Sequence, residues 1–314
     1  MPANQEFYFP STDGVHSVHV QEWLPGQPPR AVVQIVHGIA EYVGRYDHFA
    51  RFLASHGCYV CGDDHLGHGK TAANSDELGF TAEQNGWAYM VDDIHALRVQ
   101  TGEKYPDLPY LLLGHSMGSF LSRTYLIRYP GTVDACALSG TGQQAPALVS
   151  FGALFAKMER MRLGSHGRSG LVQKLCFGAY NNQFKPVRTP NDWISRDETV
   201  VDAYNADPFC QFWPTVTLFG DMMGGIKFIS DPAHLKRMDM STPVLFFSGA
   251  QDPVGDSGKG VQKAYQSFLD AGCRNVSIRL YPNGRHEILN ELNREEVYAD
   301  VLAWIEDTLF SEKD

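Results

Sequence analysis

The chain holds three residues whose types and placement could together do covalent chemistry: Ser116, Asp252 and His286. Ser116 is the centre of Gly114-His115-Ser116-Met117-Gly118, which follows the apolar run 110–113 and precedes a helical pattern over 119–129. A strand, a sharp turn and a helix in that order force the serine onto strained backbone with its hydroxyl exposed, and glycine on either side leaves room for close strand-to-helix packing. A serine hydroxyl is a poor nucleophile until a base takes its proton and a third group fixes the tautomer of that base. Among the histidines after Ser116, His166 and His234 fall in a stretch without strands, whereas His286 sits in Pro282-Asn283-Gly284-Arg285-His286, just after an apolar strand. Asp252, in Gly249-Ala250-Gln251-Asp252-Pro253-Val254, also follows a strand, where its carboxylate can accept the ring N–H of His286. Singly, a loop histidine is usually solvated and an aspartate before proline usually forms a turn. Their shared position at strand ends sets these two apart, with His286 as base and Asp252 as its orienting acid.

Acyl transfer also needs two N–H donors aimed at the oxygen of the tetrahedral intermediate. The Met117 amide, at the start of the helix, is one candidate. The other is the Ile39 amide, because Gly38 lets the chain turn after the β-branched run 31–36.

The elements that must position these groups alternate. Runs 6–9 and 15–23 flank Ser11-Thr12-Asp13-Gly14 as an opening hairpin, and 31–36 reads as a strand buried on both faces. Segment 45–56 is helical and can be capped by Gly57, and 58–62 is a strand. Thr81 with Gln84 resembles a capping box ahead of a helix carrying Trp87, Met90, Val91, Ile94 and Leu97. A strand over 133–139 follows the serine helix. From 141 to 239 the alternation stops, and glycines mix with large apolar side chains: Phe151, Leu154, Phe155, Phe177, Tyr180, Phe184, Trp193, Phe209, Phe212, Trp213, Phe219, Met222 and Met223. It resumes with strand 243–248, helix 257–271, strand 276–281 and helix 291–310. Such an order implies an α/β fold with a mostly parallel sheet and helices on both faces. The expected organisation is a core over 1–140 and 240–314 with a cap inserted at 141–239.

Composition narrows the function. A net charge of −10 argues against nucleic acid, whose binding depends on basic residues that neutralise phosphates. No run is long enough to span a bilayer and residues 1–10 carry no secretory pattern, so a cytoplasmic protein is expected. Cys58 and Cys61 form a C-x-x-C within a strand, where small buried thiols are expected in place of a redox pair, and no Cys/His set completes a zinc site. Asp64-His65-Leu66-Gly67-His68-Gly69-Lys70-Thr71 ends like a phosphate loop, but Asp64 stands where that pattern requires glycine. A structural turn supporting the loop of Ile39 is the expectation, with no cofactor and no metal.

The order Ser116, Asp252, His286 is that of alpha/beta-hydrolases. With His37-Gly38-Ile39-Ala40-Glu41, Arg45-Tyr46, the 64–71 segment and the 114–118 turn, the core resembles the monoacylglycerol lipase and lysophospholipase group of that fold, also called serine aminopeptidase S33-like. The resemblance implies the same three catalytic residues and the Ile39 and Met117 amides as oxyanion hole. Two positions depart from it: Ile39 where alanine is frequent and Ser119 where a further glycine is common. It extends over 2–140 and 240–312 and does not reach the cap, so substrate choice does not transfer.

The expected activity is carboxylester hydrolysis through an acyl-enzyme, on monoacyl lipids or similar small esters held by the apolar cap. An amidase or aminopeptidase would need a cap carboxylate for the substrate amine, from Glu159, Asp192, Asp197, Glu198, Asp202, Asp207 or Asp221. A non-catalytic binder on the same fold would have lost one of the three residues. Between Lys157 and Arg188 the basic residues Lys157, Arg160, Arg162, Arg168, Lys174, Lys185 and Arg188 face a single acid, Glu159. That reversal suggests peripheral contact with a membrane or anionic headgroups, against the alternative of a solvated basic face.

Overall fold

The hairpin at the start of the chain sets the edge of the sheet. In the computed structural model, which describes residues 3–311, β1 (Ala3–Pro10) pairs antiparallel with β2 (Ser17–Leu24), with Phe9 opposite Val18. Met1 and Pro2, and residues 312–314, within the expected first and last core segments, lie outside the described residues.

Strand β3 (Ala31–Val36) is buried at every position, and its period-2 geometry divides its side chains between two layers. Val32 and Val36 join one apolar cluster; Ala31, Val33 and Ile35 join the other. A short 3₁₀ turn over Val43–Tyr46 leads into α1 (Asp47–Ser55), so this helix starts later than its apolar spacing predicts. The cause is tertiary: the Asp64 carboxylate accepts the Val43 amide at 2.9 Å and holds the chain in the turn. Gly57, at φ 88°, closes the helix as expected. Strand β4 (Cys58–Asp63) contains Cys58 and Cys61 as buried free thiols.

Helix α2 (Gly86–Lys104) corrects the capping-box expectation. Asn85, at φ 62°, precedes the helix, and the Thr81 hydroxyl instead donates to Asp221 at 3.2 Å, a tertiary partner outcompeting the local one. Strand β5 (Tyr110–His115) runs into α3 (Met117–Arg128), and β6 (Ala135–Ser139) follows. Between β6 and β7 the chain forms α4 (Pro146–Leu163), α5 (Gly170–Phe177), α6 (Glu198–Ala206), α7 (Val216–Ile229) and the single turn α8 (Pro232–Leu235), with no strand among the described residues. Then come β7 (Val244–Gly249), α9 (Lys259–Ala271), β8 (Val276–Tyr281) and α10 (Arg294–Leu309). The last helix starts three residues after Glu291, not at it, because the buried Glu291 carboxylate is committed to Arg196 and to the Arg285 amide.

The eight strands lie in the order β1-β2-β4-β3-β5-β6-β7-β8, with β2 antiparallel to both neighbours and the pairs from β4 to β8 parallel. Helices α1 and α10 bury Phe49, Leu53, Val297 and Val301 on one face. On the other, α2, α3 and α9 bury Ile94, Leu97, Leu121 and Phe268. This two-layered burial covers the central strands and puts their carboxyl ends, with the loops that follow, along one rim of the sheet.

Arginines tie the segment between β6 and β7 to the core near both of its ends and at its middle. Arg123, fully buried on α3, donates to Gly142 O at 2.9 Å, Gln143 Oε1 at 3.2 Å and Ile229 O at 3.4 Å, joining the end of β6 to the end of α7. Burial without a carboxylate partner pushes its pKa down to about 9. At the middle of the segment, Arg196 pairs with Glu291 at 2.9 Å and Arg285 donates to Ser195 O at 3.0 Å.

Two glycine substitutions should separate close approach from helix propensity. A Cβ at Gly118 would fall 2.0 Å from the Val36 carbonyl oxygen, whereas one at Gly224, exposed on α7, would meet nothing within 4 Å. Gly118→Ala is expected to lower unfolding free energy by about 3 kcal/mol or more. Gly224→Ala should raise it by about 0.5–1 kcal/mol in urea melts.

Candidate active site

The serine turn forms where the motif places it. Ser116 has φ 53° and ψ −121°, a conformation L residues rarely adopt, and it is held from both sides. Its amide donates to Ser139 O on β6 at 3.0 Å, and Ser119 Oγ donates to its carbonyl at 2.6 Å. Serine at 119, one of the two departures noted from sequence, thus adds a bond that glycine could not. The flanking glycines are required by space: a Cβ at Gly114 would lie 2.5 Å from Gly118 O.

His286 and Asp252 meet as expected. His286 Nδ1 lies 2.9 Å from Asp252 Oδ2, the imidazole 3% exposed and the carboxylate wholly buried. The carboxylate also accepts the Val254 amide at 2.9 Å and the Ser248 hydroxyl at 3.2 Å, which leaves it oriented toward the ring. Burial alone would lower the pKa of His286, but the Asp252 charge and hydrogen bond override it, and the net shift is upward from 6.5. The loop carrying His286 is fixed from the far side, its Glu287 amide donating to Ile194 O at 2.7 Å.

The Ile39 loop has more support than its sequence announced. His37 Nε2 accepts the His65 amide at 3.0 Å, so Nδ1 carries the proton and donates to Gly38 O at 2.7 Å. Burial, then the neighbouring His65, pushes the His37 pKa well below 6.5 and keeps the ring neutral. Among the described residues no acceptor is found for the Ile39 amide. The Asp64–Thr71 turn is structural: Asp64 Oδ2 accepts the Lys70 amide at 2.8 Å, a Cβ at Gly69 would strike the Asp64 carboxylate, and Lys70 pairs with Glu6 at 2.7 Å.

A cavity of about 630 Å³ opens over this rim, and Ser116, His286, Ile39 and Met117 all line it. Asp252 does not; it lies behind the histidine. Of the thirteen large apolar residues singled out between 141 and 239, ten line the cavity, and Leu154, Phe184 and Phe209 do not. None of the seven acids considered for an amine-binding role lines it. Asp192 is spent on the Arg188 and Thr189 amides, Asp207 on Tyr42 and Asp221 on Thr81. The acids that do reach the cavity are Glu41, Asp256 and Glu287. Glu287 had no sequence signal of its own, being one residue past the histidine in a loop. Glu41 belonged to the quoted signature and bonds the nearby Arg45, which reaches on to a distant segment: Arg45 Nη1 lies 3.3 Å from Glu41 Oε2, while Nη1 and Nη2 lie 2.5 and 2.8 Å from the two Glu287 oxygens.

Comparison with known proteins gives the family of the chain. The chain belongs to the serine aminopeptidase S33 family, whose profile matches residues 27–293. It is 29% identical over 313 residues to a monoacylglycerol lipase of Mycolicibacterium smegmatis, covering 96% of each chain. It is 26% identical to the monoglyceride lipase of Homo sapiens, covering 90% of this chain and 84% of that one. Among solved structures, a highly thermostable carboxyl esterase from Bacillus coagulans in complex with glycerol superposes with a TM-score of 0.91 at 32% identity, covering 98% of this chain and 99% of the other.

The Asp252–His286 pair makes a titration testable without any assay of rate. By NMR the His286 ring should titrate above 6.5, and Asp252→Asn, which removes the strongest opposition to burial and leaves the weaker pull of Glu287 and Glu41, should lower its pKa. A His286 pKa unchanged by Asp252→Asn would contradict the pairing.

Proposed function

We propose that this protein is a serine carboxylester hydrolase acting on monoacyl lipids, with Ser116 as nucleophile, His286 as base, Asp252 as its orienting acid, and the Ile39 and Met117 amides as oxyanion hole. The observation that carries the reading is the Asp252–His286 hydrogen bond of 2.9 Å at the edge of the apolar cavity that Ser116 also lines. With Nδ1 committed to Asp252, Nε2 is the nitrogen that takes the Ser116 proton. The serine attacks the ester carbonyl, and the oxyanion is met by the Met117 amide, unbonded at the helix start, and by the Ile39 amide. His286 passes the proton to the leaving alcohol, and water then repeats the sequence on the acyl-enzyme.

A monoacyl lipid fits because the cavity, of about 630 Å³, is mostly apolar and large enough for one chain with a small head. The names of the relatives support the same substrate class. Residues 141–239 act as the cap over the acyl chain, joined to the two core segments 1–140 and 240–314. The amidase alternative loses its support, since no carboxylate of the cap reaches the cavity.

The cap also presents an apolar outer face. Leu154, Met158 and Met161 on α4 and Leu171 on α5 are each more than half exposed. The basic reversal noted in the sequence is partly neutralised: Arg160 pairs with Glu83, Arg162 with Glu159, and Arg188 with Asp202, while Arg168 donates to the carbonyls of Asp76 and Leu78. Lys157, Lys174 and Lys185 remain exposed, the first two on the same helices as these apolar side chains. This face is therefore read as a shallow docking surface for lipid, driven by apolar burial, with lysines adding about 1 kcal/mol each near an anionic surface. Among the described residues no helix is long and apolar enough to cross a membrane.

Three measurements test these points. Ser116→Ala should abolish both fluorophosphonate labelling and hydrolysis across a panel of monoacylglycerols, lysophospholipids, short aryl esters, a cinnamoyl ester and amino-acid arylamides. In the parent, monoacyl esters should lead that panel; an arylamide hydrolysed as fast as the esters would overturn the substrate class. Because the base must be neutral, kcat/KM should fall as pH drops through a value above 6.5. Finally, Leu154→Glu with Met161→Glu, neither lining the cavity, should weaken binding to anionic vesicles roughly tenfold or more and leave hydrolysis of a soluble aryl ester unchanged. Undiminished vesicle binding would remove the docking face.

A further inference from the structure

Three buried charges sit beside the Ile39 loop without a part in acyl transfer. Glu41 is 4% and Glu287 5% exposed, and the Arg45 side chain lies between them. Burying such a cluster is costly, and apolar residues of similar volume would usually serve stability as well or better. What the cluster does locally is specific. Glu41 Oε1 accepts the Gly38 amide at 2.5 Å and the Tyr46 hydroxyl at 2.9 Å. Two residues on, Ala40 holds φ 56°, and its carbonyl accepts the hydroxyl of Tyr204, from α6, at 3.0 Å. Between these two anchors lies the peptide unit joining Gly38 to Ile39, whose carbonyl is taken by His37 Nδ1 at 2.7 Å. A trans peptide points its N–H opposite to its carbonyl. Fixing the Gly38 carbonyl on His37 therefore turns the Ile39 N–H the other way, and bonds on either side of the unit keep it from rotating.

We propose that Glu41, braced by Arg45 and Glu287 and joined by the cap residue Tyr204, is a positioning residue that aims the Ile39 amide at the developing oxyanion and keeps it in register with His286. The proposal rests on the reading of Ser116, His286 and Ile39 given above. Arg45 is the link: it bonds Glu41, three residues from the Gly38 amide, and Glu287, the neighbour of His286. It also stacks 4.8 Å from the Tyr204 ring centre, so the cap, the oxyanion loop and the base loop meet at one guanidinium.

An oxyanion donor is felt by the tetrahedral state and much less by the ground state, which supplies a readout that a merely structural role would not move. Glu41→Gln and Tyr204→Phe are compared with the parent in kcat and KM on a short aryl ester. Two ligands of the same chain length are added: a trifluoromethyl ketone, which forms a tetrahedral adduct with the serine, and an unreactive ether. Deleting a donor costs about 10²–10³ in kcat, so misaiming one through Glu41→Gln should cost roughly tenfold to a hundredfold, with a matching rise in the ketone inhibition constant. Ether affinity and KM should stay within about twofold of the parent. Tyr204→Phe removes one hydroxyl and should show the same pattern at roughly threefold to tenfold; it decides the matter alone if Glu41→Gln does not fold. Parent-like kcat in the folded variants, or equal loss of ketone and ether affinity, overturns the positioning role. Ser116→Ala separates the two layers. If that variant still hydrolyses ester, the reading of the site fails; if it is inactive while both other variants behave as the parent, only the positioning role is lost.

Discussion

The backbone of Ser116 is the constraint on which the rest of the structure depends. A residue at φ 53° and ψ −121° costs about 1–3 kcal/mol and persists only where its surroundings allow nothing else. Here the surroundings are the ends of three neighbouring parallel strands. β5 delivers the serine, β6 accepts its amide through Ser139, and the end of β3 presses so closely on α3 that only glycine fits at 118. The large two-layered apolar core keeps these strand ends together, and its burial supplies the free energy that holds the turn in place.

From that turn the chemistry spreads outward along the same rim. The loop after β7 brings Asp252, the loop after β8 brings His286, and the loop after β3 brings Ile39. Each loop is then held by further hydrogen bonds: the Ser248 hydroxyl and the Val254 amide on Asp252, the Glu287 amide on the distant Ile194 carbonyl, and His37 with Glu41 around Gly38. Charge is arranged to the same end. The buried His286, proposed to accept a proton, sits against a carboxylate and is raised, whereas His37, which holds a carbonyl, is lowered by burial and by its neighbouring imidazoles.

Much of this was legible in the residues because it rests on local rules. Alternating and continuous apolar runs mark the strands, and the pentapeptide around Ser116 marks the turn. His286 and Asp252 could be found because each follows a strand by only a few residues. The misreadings came where distant partners overrule local pattern. Thr81 leaves its helix end for Asp221, and Glu291 is withdrawn from the closing helix by Arg196. The run of basic residues between 157 and 188 likewise hides its partners from the sequence, since Arg160 meets Glu83 and Arg168 meets Leu78, both far away along the chain. The Glu41–Arg45–Glu287 cluster joins positions more than 240 residues apart, and spacing carries no trace of such a contact.

The central claim is that ester cleavage passes through an acyl group on Ser116. A p-nitrophenyl ester has so good a leaving group that deacylation limits turnover and the intermediate accumulates. Acid quench during steady turnover, followed by intact-mass and peptide analysis, should find one acyl group per chain on the peptide bearing Ser116. Turnover with no acyl group on the chain, or with the acyl group on another residue, would contradict the account.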